Sequence, residues 1–214
     1  MVLEAFIFII HYKQQLRGLT AFMKIGWVRH GRTAWNALGK IQGQTDIPLN
    51  EEGKQQAERL ALRLAANEIE WDAVISSDLM RARETARTIA EKLGVPLLPP
   101  DHRLRERFFG EIEGTTEEER LARWGEDWRT TFEGQETDAA VFARGMSFIK
   151  EWREQKPGQR LLVVTHGSFL NQMLHSLCEG LDGSYIGNMS YSITEFRNEQ
   201  WTSLLHNCTV HLNN

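Results

Sequence analysis

The stretch that decides the fold is Leu161-Leu-Val-Val-Thr-His-Gly167. Its apolar run is typical of a strand buried on both faces of a parallel sheet. A second stretch, Trp27-Val-Arg-His-Gly31, has the same order of apolar residues followed by His-Gly. In an open parallel sheet, ligands bind outside the carboxyl ends of the strands. We therefore expect His30 and His166 to meet over one site.

Outward from these stretches, strand and helix patterns alternate, which indicates an α/β protein with a mostly parallel sheet. The architecture predicted is a three-layer α/β/α sandwich with a small irregular lid, at about residues 104–136, over the carboxyl edge of the sheet. Strands are predicted at residues 24–28, 73–76, 95–98 (a weak edge strand) and 161–165, with a terminal hairpin at 190–196 and 201–206. Helices are predicted from Asn50, at residues 79–93, at about 117–124, from Thr137, and at 168–178.

Composition limits the class of protein. A chain of 214 residues with 41% hydrophobic residues fits one domain with an ordinary core. The net charge of −4 gives no basic field that would recruit nucleic acid. The two cysteines, Cys178 and Cys208, have no C-x-x-C spacing and indicate a reducing compartment, which predicts a cytoplasmic protein.

The first 22 residues differ from the rest. The apolar run from Ala5 to Ile10 is too short to span a bilayer, and an acidic residue precedes it. We predict a non-catalytic N-terminal extension at residues 1–22 and a single catalytic domain at residues 23–214, without membrane association. The alternative is a membrane-surface or partner-binding segment.

Two ligands compete for a site built on two histidines. Arg29 lies beside His30, and a fixed cation there opposes a divalent metal ion. Arg81, in the first turn of the helix after a second strand, adds another guanidinium at the same edge. Arginine matches phosphate oxygens bidentately. The residues therefore predict a phosphate pocket, with no metal and no cofactor. The glycine after each histidine, Gly31 or Gly167, would let the backbone approach the ligand, and helix N-termini at this edge would add N–H donors.

Five motifs in order carry a resemblance to a known family. They are Arg29-His-Gly31 with Thr33, Trp35 and Asn36; Asp46-Ile-Pro-Leu-Asn50 with Gly53; Ser76-Ser77 with Arg81-Ala82 and Thr85-Ala86; Leu104-Arg-Glu106 with Gly110 and Glu113-Gly114; and Val164-Thr-His-Gly167. Together they resemble the histidine phosphatase (phosphoglycerate mutase-like) superfamily.

The resemblance implies a role for each matching position. His30 would be the nucleophile that becomes phosphohistidine. Arg29, Arg81 and His166 would hold the phosphoryl oxygens, and Glu106 would be the proton donor. Secondary phosphate contacts would come from Asn36, Gln42 and Gly167. Independently of the family, neighbouring cations favour the neutral, nucleophilic imidazole, and the like charge of an arriving phosphate would keep the Glu106 carboxyl protonated.

Several residues keep two interpretations. Glu111 and Glu113 lie close to Glu106 in sequence and are alternative proton donors. Trp124 and Trp128 would either line a substrate pocket or pack a small subdomain. We expect Arg83 and Arg87 to be solvated helix residues, and the remaining histidines to be surface or packing residues: His11, His102, His175, His206 and His211.

The resemblance implies a phosphatase that acts on small phosphate monoesters. The short interval between Glu106 and His166 leaves little room for the long insertion of the cofactor-dependent phosphoglycerate mutases. In this respect the chain resembles the compact broad-specificity, α-ribazole and sugar-phosphate phosphatases of the same superfamily. A mutase is the first alternative, and a non-catalytic phospho-ligand-binding module is the second. The expected partner is a small phosphorylated metabolite, and the sequence leaves a monomer or a dimer open.

Overall fold

The computed structural model of the chain describes residues 22–67, 69–131 and 134–213. The predicted N-terminal extension lies outside the described residues except for Phe22. Its lack of a catalytic role therefore stays a prediction. The first strand of the sheet begins at Met23.

Five strands form one mixed sheet. Their bounds are Met23–Arg29 (β1), Ala73–Ser76 (β2), Arg160–Thr165 (β3), Tyr191–Arg197 (β4) and Gln200–Cys208 (β5). The spatial order is β2-β3-β1-β4-β5. The three core strands β2, β3 and β1 are parallel, and the terminal hairpin adds two antiparallel strands beside β1. The α/β class and the parallel core are thus confirmed.

Helices cover both faces of the sheet. Their bounds are Ala34–Ala37 (α1), Glu51–Ala65 (α2), Met80–Leu93 (α3), Glu117–Trp124 (α4), Trp128–Thr131 (α5), Asp138–Gln155 (α6) and Gly167–Leu177 (α7). On one face of the sheet, α6 and α7 pack on alternate residues of the core strands, Ile25 and Val163 among them. On the other face, α2 and α3 pack on the intervening residues, including Val28 and Leu162. The predicted three-layer sandwich is confirmed.

The predicted helix ends follow from local chemistry. The Asn50 side chain accepts a hydrogen bond from Gly53 N (2.8 Å), and that of Thr137 accepts one from Ala140 N (3.2 Å). Helix α3 ends at Gly94, whose φ of 67° is a left-handed conformation that glycine adopts without strain.

The predicted strand at residues 95–98 was wrong. Only Leu97 forms a bridge there, and it is with Val74 of β2. Pro96 has no N–H to donate, so this segment makes two backbone hydrogen bonds at the end of the sheet and does not continue as a strand.

The predicted lid segment, residues 104–136, contains a 3₁₀ turn at Gly110–Ile112 and the short helices α4 and α5. Arg144 of α6 fixes both its ends, because its guanidinium donates to the Arg105 carbonyl (2.6 Å) and to the Glu136 carboxylate (2.7 Å). Trp128 is buried, and the guanidinium groups of Arg120 and Arg129 lie 4.6 Å and 4.4 Å from the centroid of its ring. Trp128 therefore packs the segment together.

Within the part of the chain that the structure describes, no helix is both long enough and apolar enough to cross a membrane.

Candidate active site

The sheet register brings the two histidines together. Arg29 at the end of β1 pairs with Thr165 at the end of β3, so the next residue of each strand leaves the sheet at the same level. His30 N donates to Thr165 O at 3.0 Å. The centroids of the His30 and His166 rings lie 5.1 Å apart, with the ring planes inclined by 60°. Both side chains are buried.

The contacts of His30 define its tautomer. Arg81 Nε lies 3.2 Å from His30 Nε2 and can only donate, so Nε2 is the acceptor and carries the lone pair. His30 Nδ1 lies 2.7 Å from Gly31 O, to which it donates its proton. The ring is thus held with an unprotonated Nε2 beside a guanidinium.

Burial keeps both histidines neutral. Desolvation, followed by the positive charges of Arg81 and Arg29, holds the pKa of His30 well below its ordinary value of 6.5. Desolvation and the charge of Arg81 hold the pKa of His166 well below that value too. Neither imidazole carries a proton on both nitrogens at neutral pH.

Arg81 is buried in the first turn of α3, where sequence analysis places it. Its Nη1 donates to Thr45 O (3.0 Å) and its Nη2 donates to Gly43 O (2.6 Å). Desolvation lowers the pKa of Arg81 to about 10, against the opposing charges of Glu106, Asp46 and Glu113. The guanidinium therefore remains positive at neutral pH.

Glu113 braces the loop that holds Arg81. Its carboxylate accepts hydrogen bonds from Gln44 N (3.0 Å), Thr45 N (2.8 Å), Thr45 Oγ1 (2.5 Å) and Phe109 N (3.0 Å). Burial by itself would raise the pKa of Glu113, but these donors hold it below its ordinary value. The other alternative donor, Glu111, is exposed to solvent.

Glu106 lies at the N-terminus of α7. Its buried carboxylate accepts hydrogen bonds from Ser168 N (3.0 Å), Phe169 N (2.8 Å) and Arg107 N (2.8 Å). Sequence analysis expected the N–H groups of such a helix end to be free for a ligand. Two of them are instead bonded to Glu106, because a carboxylate from the lid segment reaches the positive end of the helix first.

Arg29 is fixed from one side. Its Nη1 donates to Tyr185 OH (2.6 Å) and to Ile186 O (2.5 Å), whereas its buried Nε has no partner. A Cβ on Gly167 would lie 3.1 Å from that Nε. The absence of a side chain at Gly167 therefore makes room for the guanidinium.

Gly31 serves packing. A Cβ at this position would lie 2.4 Å from Gly53 O at the start of α2. The expectation that Gly31 lets the backbone approach a ligand is corrected, since the close neighbour is the protein's own backbone.

Asn36 and Gln42 both accept a hydrogen bond from Thr33. Gln42 Oε1 accepts a hydrogen bond from Thr33 Oγ1 (2.9 Å), and its buried Nε2 has no partner. Asn36 Oδ1 accepts from Thr33 N (3.2 Å) and from Asn188 Nδ2 (3.1 Å). Each amide thus has its oxygen satisfied by the protein.

These residues surround a cleft of about 630 Å³. Of the predicted site residues, six line the cleft: Arg29, His30, Asn36, Gln42, Glu106 and Gly167. The other two, Arg81 and His166, are next to His30. Arg81 Nε contacts the His30 ring, and the His166 ring lies beside it. Three buried groups among these residues have polar atoms without a partner, namely Arg29 Nε, Gln42 Nε2 and both His166 ring nitrogens. Leaving such atoms unpaired costs free energy, so they favour a polar ligand.

A larger groove of about 940 Å³ lies at the amino end of the sheet, beside Met23 and Gly158. It contains none of the predicted site residues, no histidine lines it, and the one arginine among its lining residues, Arg153, is exposed. We therefore take the smaller cleft as the site.

Sequence analysis missed Tyr185 and Asn188, which line the cleft on the loop before β4. Asn188 Nδ2 donates to His30 O at 3.2 Å. The sequence feature that could have indicated these two residues is the order and direction of the strands. A hairpin strand that runs antiparallel to β1 starts at the edge of the sheet where β1 ends, so the residues before Tyr191 reach the site.

Among residues 22–67, 69–131 and 134–213, no three histidine, cysteine, aspartate or glutamate side chains come together as metal ligands. The fold and the cleft define an α/β protein in which two histidines and two arginines lie together at the carboxyl edge of the parallel strands. The sequence model described as "Histidine phosphatase superfamily (branch 1)" matches residues 25–209. The chain therefore belongs to the histidine phosphatase superfamily and is an enzyme, either a phosphatase or a phosphoglycerate mutase.

Relatives of both kinds are similar to this chain. "Uncharacterized phosphatase PhoE" of Bacillus subtilis is 33% identical over 86% of this chain and 94% of its own length. "Probable phosphoglycerate mutase GpmB" of Escherichia fergusonii is 35% identical over 84% of this chain and 87% of its own length. The solved structure of a mycobacterial glucosyl-3-phosphoglycerate phosphatase in complex with VO3 has a TM-score of 0.74 and 27% identity. It covers 86% of this chain, and 99% of that structure's chain is matched.

Proposed function

We propose that this enzyme is a phosphatase that hydrolyses small phosphate monoesters through a phosphohistidine on His30. The observation that supports it most strongly is the unprotonated Nε2 of His30, which faces Arg81 in a buried site. A neutral imidazole is a nucleophile, and two guanidinium groups offset the charge of the phosphoryl oxygens. The neutral His166 then donates one hydrogen bond to those oxygens.

In the first step, Arg81 Nε transfers its hydrogen bond from His30 Nε2 to a phosphoryl oxygen, the freed Nε2 lone pair attacks phosphorus, and the bond from phosphorus to the ester oxygen breaks. Glu106, which lines the cleft, gives its proton to the leaving oxygen, so that a neutral alcohol departs. Arg29 and Arg81 hold the equatorial oxygens, and the amide nitrogens of Asn36 and Gln42 add secondary contacts. The Gly167 backbone borders the same oxygens.

In the second step, a water molecule attacks phosphorus and the bond from phosphorus to Nε2 breaks. The Glu106 carboxylate takes the proton from that water, and inorganic phosphate leaves. Of the three candidate acids, Glu106 lines the cleft, whereas Glu113 and Glu111 do not.

The alternative is a phosphoglycerate mutase, which the similar relative of that name favours. A mutase must keep water away from its phosphohistidine. Within the described part of the lid segment, residues 104–131 and 134–136, the helices contribute nothing to the cleft wall, and only Glu106 and Phe109 line it. The described part of that segment thus provides no helix that would shield a phosphohistidine from water, which favours hydrolysis. A non-catalytic binding module is disfavoured, because His30, Arg81, Glu106 and His166 are all in place.

The test is a panel of small phosphate monoesters together with 3-phosphoglycerate, scored separately for free phosphate and for isomer formation. We expect several monoesters, chosen among cytoplasmic metabolites, to release free phosphate. The rates should be unchanged after exhaustive chelation of metal ions. Isomer formed faster than phosphate would identify a mutase, and loss of turnover restored by magnesium or zinc would identify a metal enzyme.

A further inference from the structure

A loop outside all the sequence motifs holds the guanidinium of Arg29. Nη1 of Arg29 donates to the hydroxyl of Tyr185 and to the carbonyl of Ile186. The Tyr185 side chain is 76% exposed and Arg29 only 6%, so the phenol reaches inward with its hydroxyl. Nη1 is thus hydrogen-bonded to the loop. The Nε of Arg29 has no partner and lies beside Gly167, a residue that lines the cleft.

The loop is in turn fixed by Asn207. Residues 184–187 are called the bracket loop here. Asn207 Nδ2 donates to Tyr185 O (2.9 Å) and to Ser184 Oγ (3.2 Å), while Asn207 Oδ1 accepts from Gly187 N (3.2 Å). One amide side chain thus bonds to three of the four residues of the bracket loop.

A β-bulge directs Asn207 toward the loop. Tyr191 pairs with Cys208 and Ile193 pairs with Leu205, so β5 has one residue more than β4 over this interval. Asn207 has a φ of 47°, and its N–H bonds to Ser192 Oγ (2.9 Å). A bulge turns a side chain away from its regular direction, and asparagine tolerates the left-handed conformation better than most residues.

We propose that Tyr185 and Asn207 are positioning residues for binding of the phosphoryl group. Asn207 fixes the bracket loop, the two oxygen atoms of the loop fix Nη1, and Arg29 then presents Nε to the phosphoryl oxygens. The inference rests on the proposed phosphatase function, in which Arg29 binds those oxygens. An arginine fork binds an anion through directed N–H groups, so a small rotation of the guanidinium weakens the contact.

Three variants test the chain of contacts. Tyr185→Phe keeps the ring and removes one acceptor of Nη1. Asn207→Asp keeps Oδ1 and removes both Nδ2 donors. Leu204→Ala, at an exposed position of the same strand, is the control. We expect the dissociation constant of inorganic phosphate to rise about tenfold for Tyr185→Phe and about threefold for Asn207→Asp, as loss of a hydrogen bond to a charged group implies. Leu204→Ala should match the wild type.

The same substitutions in an Arg29→Ala background show whether the effect passes through Arg29. The kcat/KM for p-nitrophenyl phosphate should then change little on adding Tyr185→Phe, because the group that it positions is absent. An equal fold-change in both backgrounds overturns the proposal, and so does wild-type phosphate affinity in Tyr185→Phe. If Asn207→Asp fails to fold, Tyr185→Phe alone decides. A wild-type enzyme that neither binds phosphate nor hydrolyses any ester contradicts the phosphatase function itself.

Discussion

At the scale of single residues, the site depends on which nitrogen of His30 carries the proton. The carbonyl of Gly31 takes the proton of Nδ1, so the lone pair is on Nε2 before any ligand binds. Burial and the two arginines keep the ring neutral. The protein alone therefore sets the tautomer of the proposed nucleophile.

Arg81 and Arg87 provide a matched pair on α3. Arg81 is buried against His30, whereas Arg87 is exposed. We expect Arg81→Ala to weaken vanadate or phosphate binding and to slow turnover, because a buried guanidinium acts in both the ground state and the transition state. The combined loss in kcat/KM should be about 10²-fold or more. Arg87→Ala should change neither quantity, and equal effects of the two substitutions would place the pocket elsewhere.

Glu106→Gln tests the acid. The loss should be about 10²–10⁴-fold for alkyl phosphates, whose leaving oxygen needs a proton, and much smaller for the burst of p-nitrophenyl phosphate. The substitution also replaces one acceptor of the α7 N–H groups, so phosphate affinity must be measured alongside. Glu111→Gln, at an exposed position, is the control. If both bursts slow alike in Glu106→Gln, and Glu113→Gln or Glu111→Gln shows the dependence on leaving group, the acid is one of those residues.

The two buried histidines also predict how stability depends on pH. The unfolded chain binds a proton at each near pH 6.5, and the folded protein does not, because both folded-state pKa values lie well below that value. The free energy of unfolding should therefore fall as the pH falls below 6.5, by about 1.4 kcal/mol per pH unit for each histidine.

Urea unfolding at pH 7.5, 6.5 and 5.5 measures this slope. His166→Gln should reduce it by the share of one histidine, while His102→Gln, at an exposed position, should leave it unchanged. The carboxylates and the other histidines contribute equally to both proteins, so the difference isolates His166. The same slope in His166→Gln and the wild type would mean that His166 binds a proton as readily in the folded protein as in the unfolded chain.

At the scale of elements, the sheet places the site, and its packing leaves little room at Gly26 of β1. A Cβ there would lie 2.5 Å from Leu162 Cδ2 and 2.9 Å from Trp71 Cη2. Gly26→Ala should therefore lower the free energy of unfolding by about 1–3 kcal/mol, as overpacking of a core does. Gly183→Ala, where a Cβ meets nothing within 4 Å, should change it by less than about 0.5 kcal/mol. Equal free energies of unfolding for the Gly26→Ala and Gly183→Ala variants in denaturant would show that the sheet is less tightly packed around Gly26 than these distances indicate.

The elements that sequence predicts best are those whose signal is local. The apolar run that ends at Thr165 gives β3, and Asn50 and Gly94 mark helix ends by their own side chain or lack of one. The strand prediction at residues 95–98 was wrong because it gave more weight to the apolar composition than to the missing N–H of Pro96. The bulge at Asn207 could not be predicted, because it depends on the register between two strands and leaves no pattern within one.

The site shows the same division. Sequence order places His30, His166 and Arg29 at strand ends and Arg81 in the first turn of the helix after β2, and the structure brings these four together. The bond from Glu106 to the start of α7 and the bond from Tyr185 to Arg29 join segments far apart in sequence, so no spacing announces them. The roles of all these residues remain predictions that the variants above test.

At the scale of the whole molecule, the catalytic unit is predicted to begin at Met23, which opens β1. The residues proposed to bind the phosphoryl group or to transfer protons lie between Arg29 and Gly167, and the bracket loop comes after them, just before the terminal hairpin. Residues 1–22 contain no proposed site residue, so their role as a non-catalytic extension stays a prediction.

The central claim is a covalent phosphohistidine on His30, and rapid quenching in alkali tests it most directly. Enzyme mixed with a ³²P-labelled monoester and quenched during the burst should carry label that is stable in alkali and labile in acid, as a phosphoramidate is. Peptide mapping should place the label on His30, and His30→Asn should carry none. Label on a serine or an aspartate, or acid-stable label of any kind, would contradict the account.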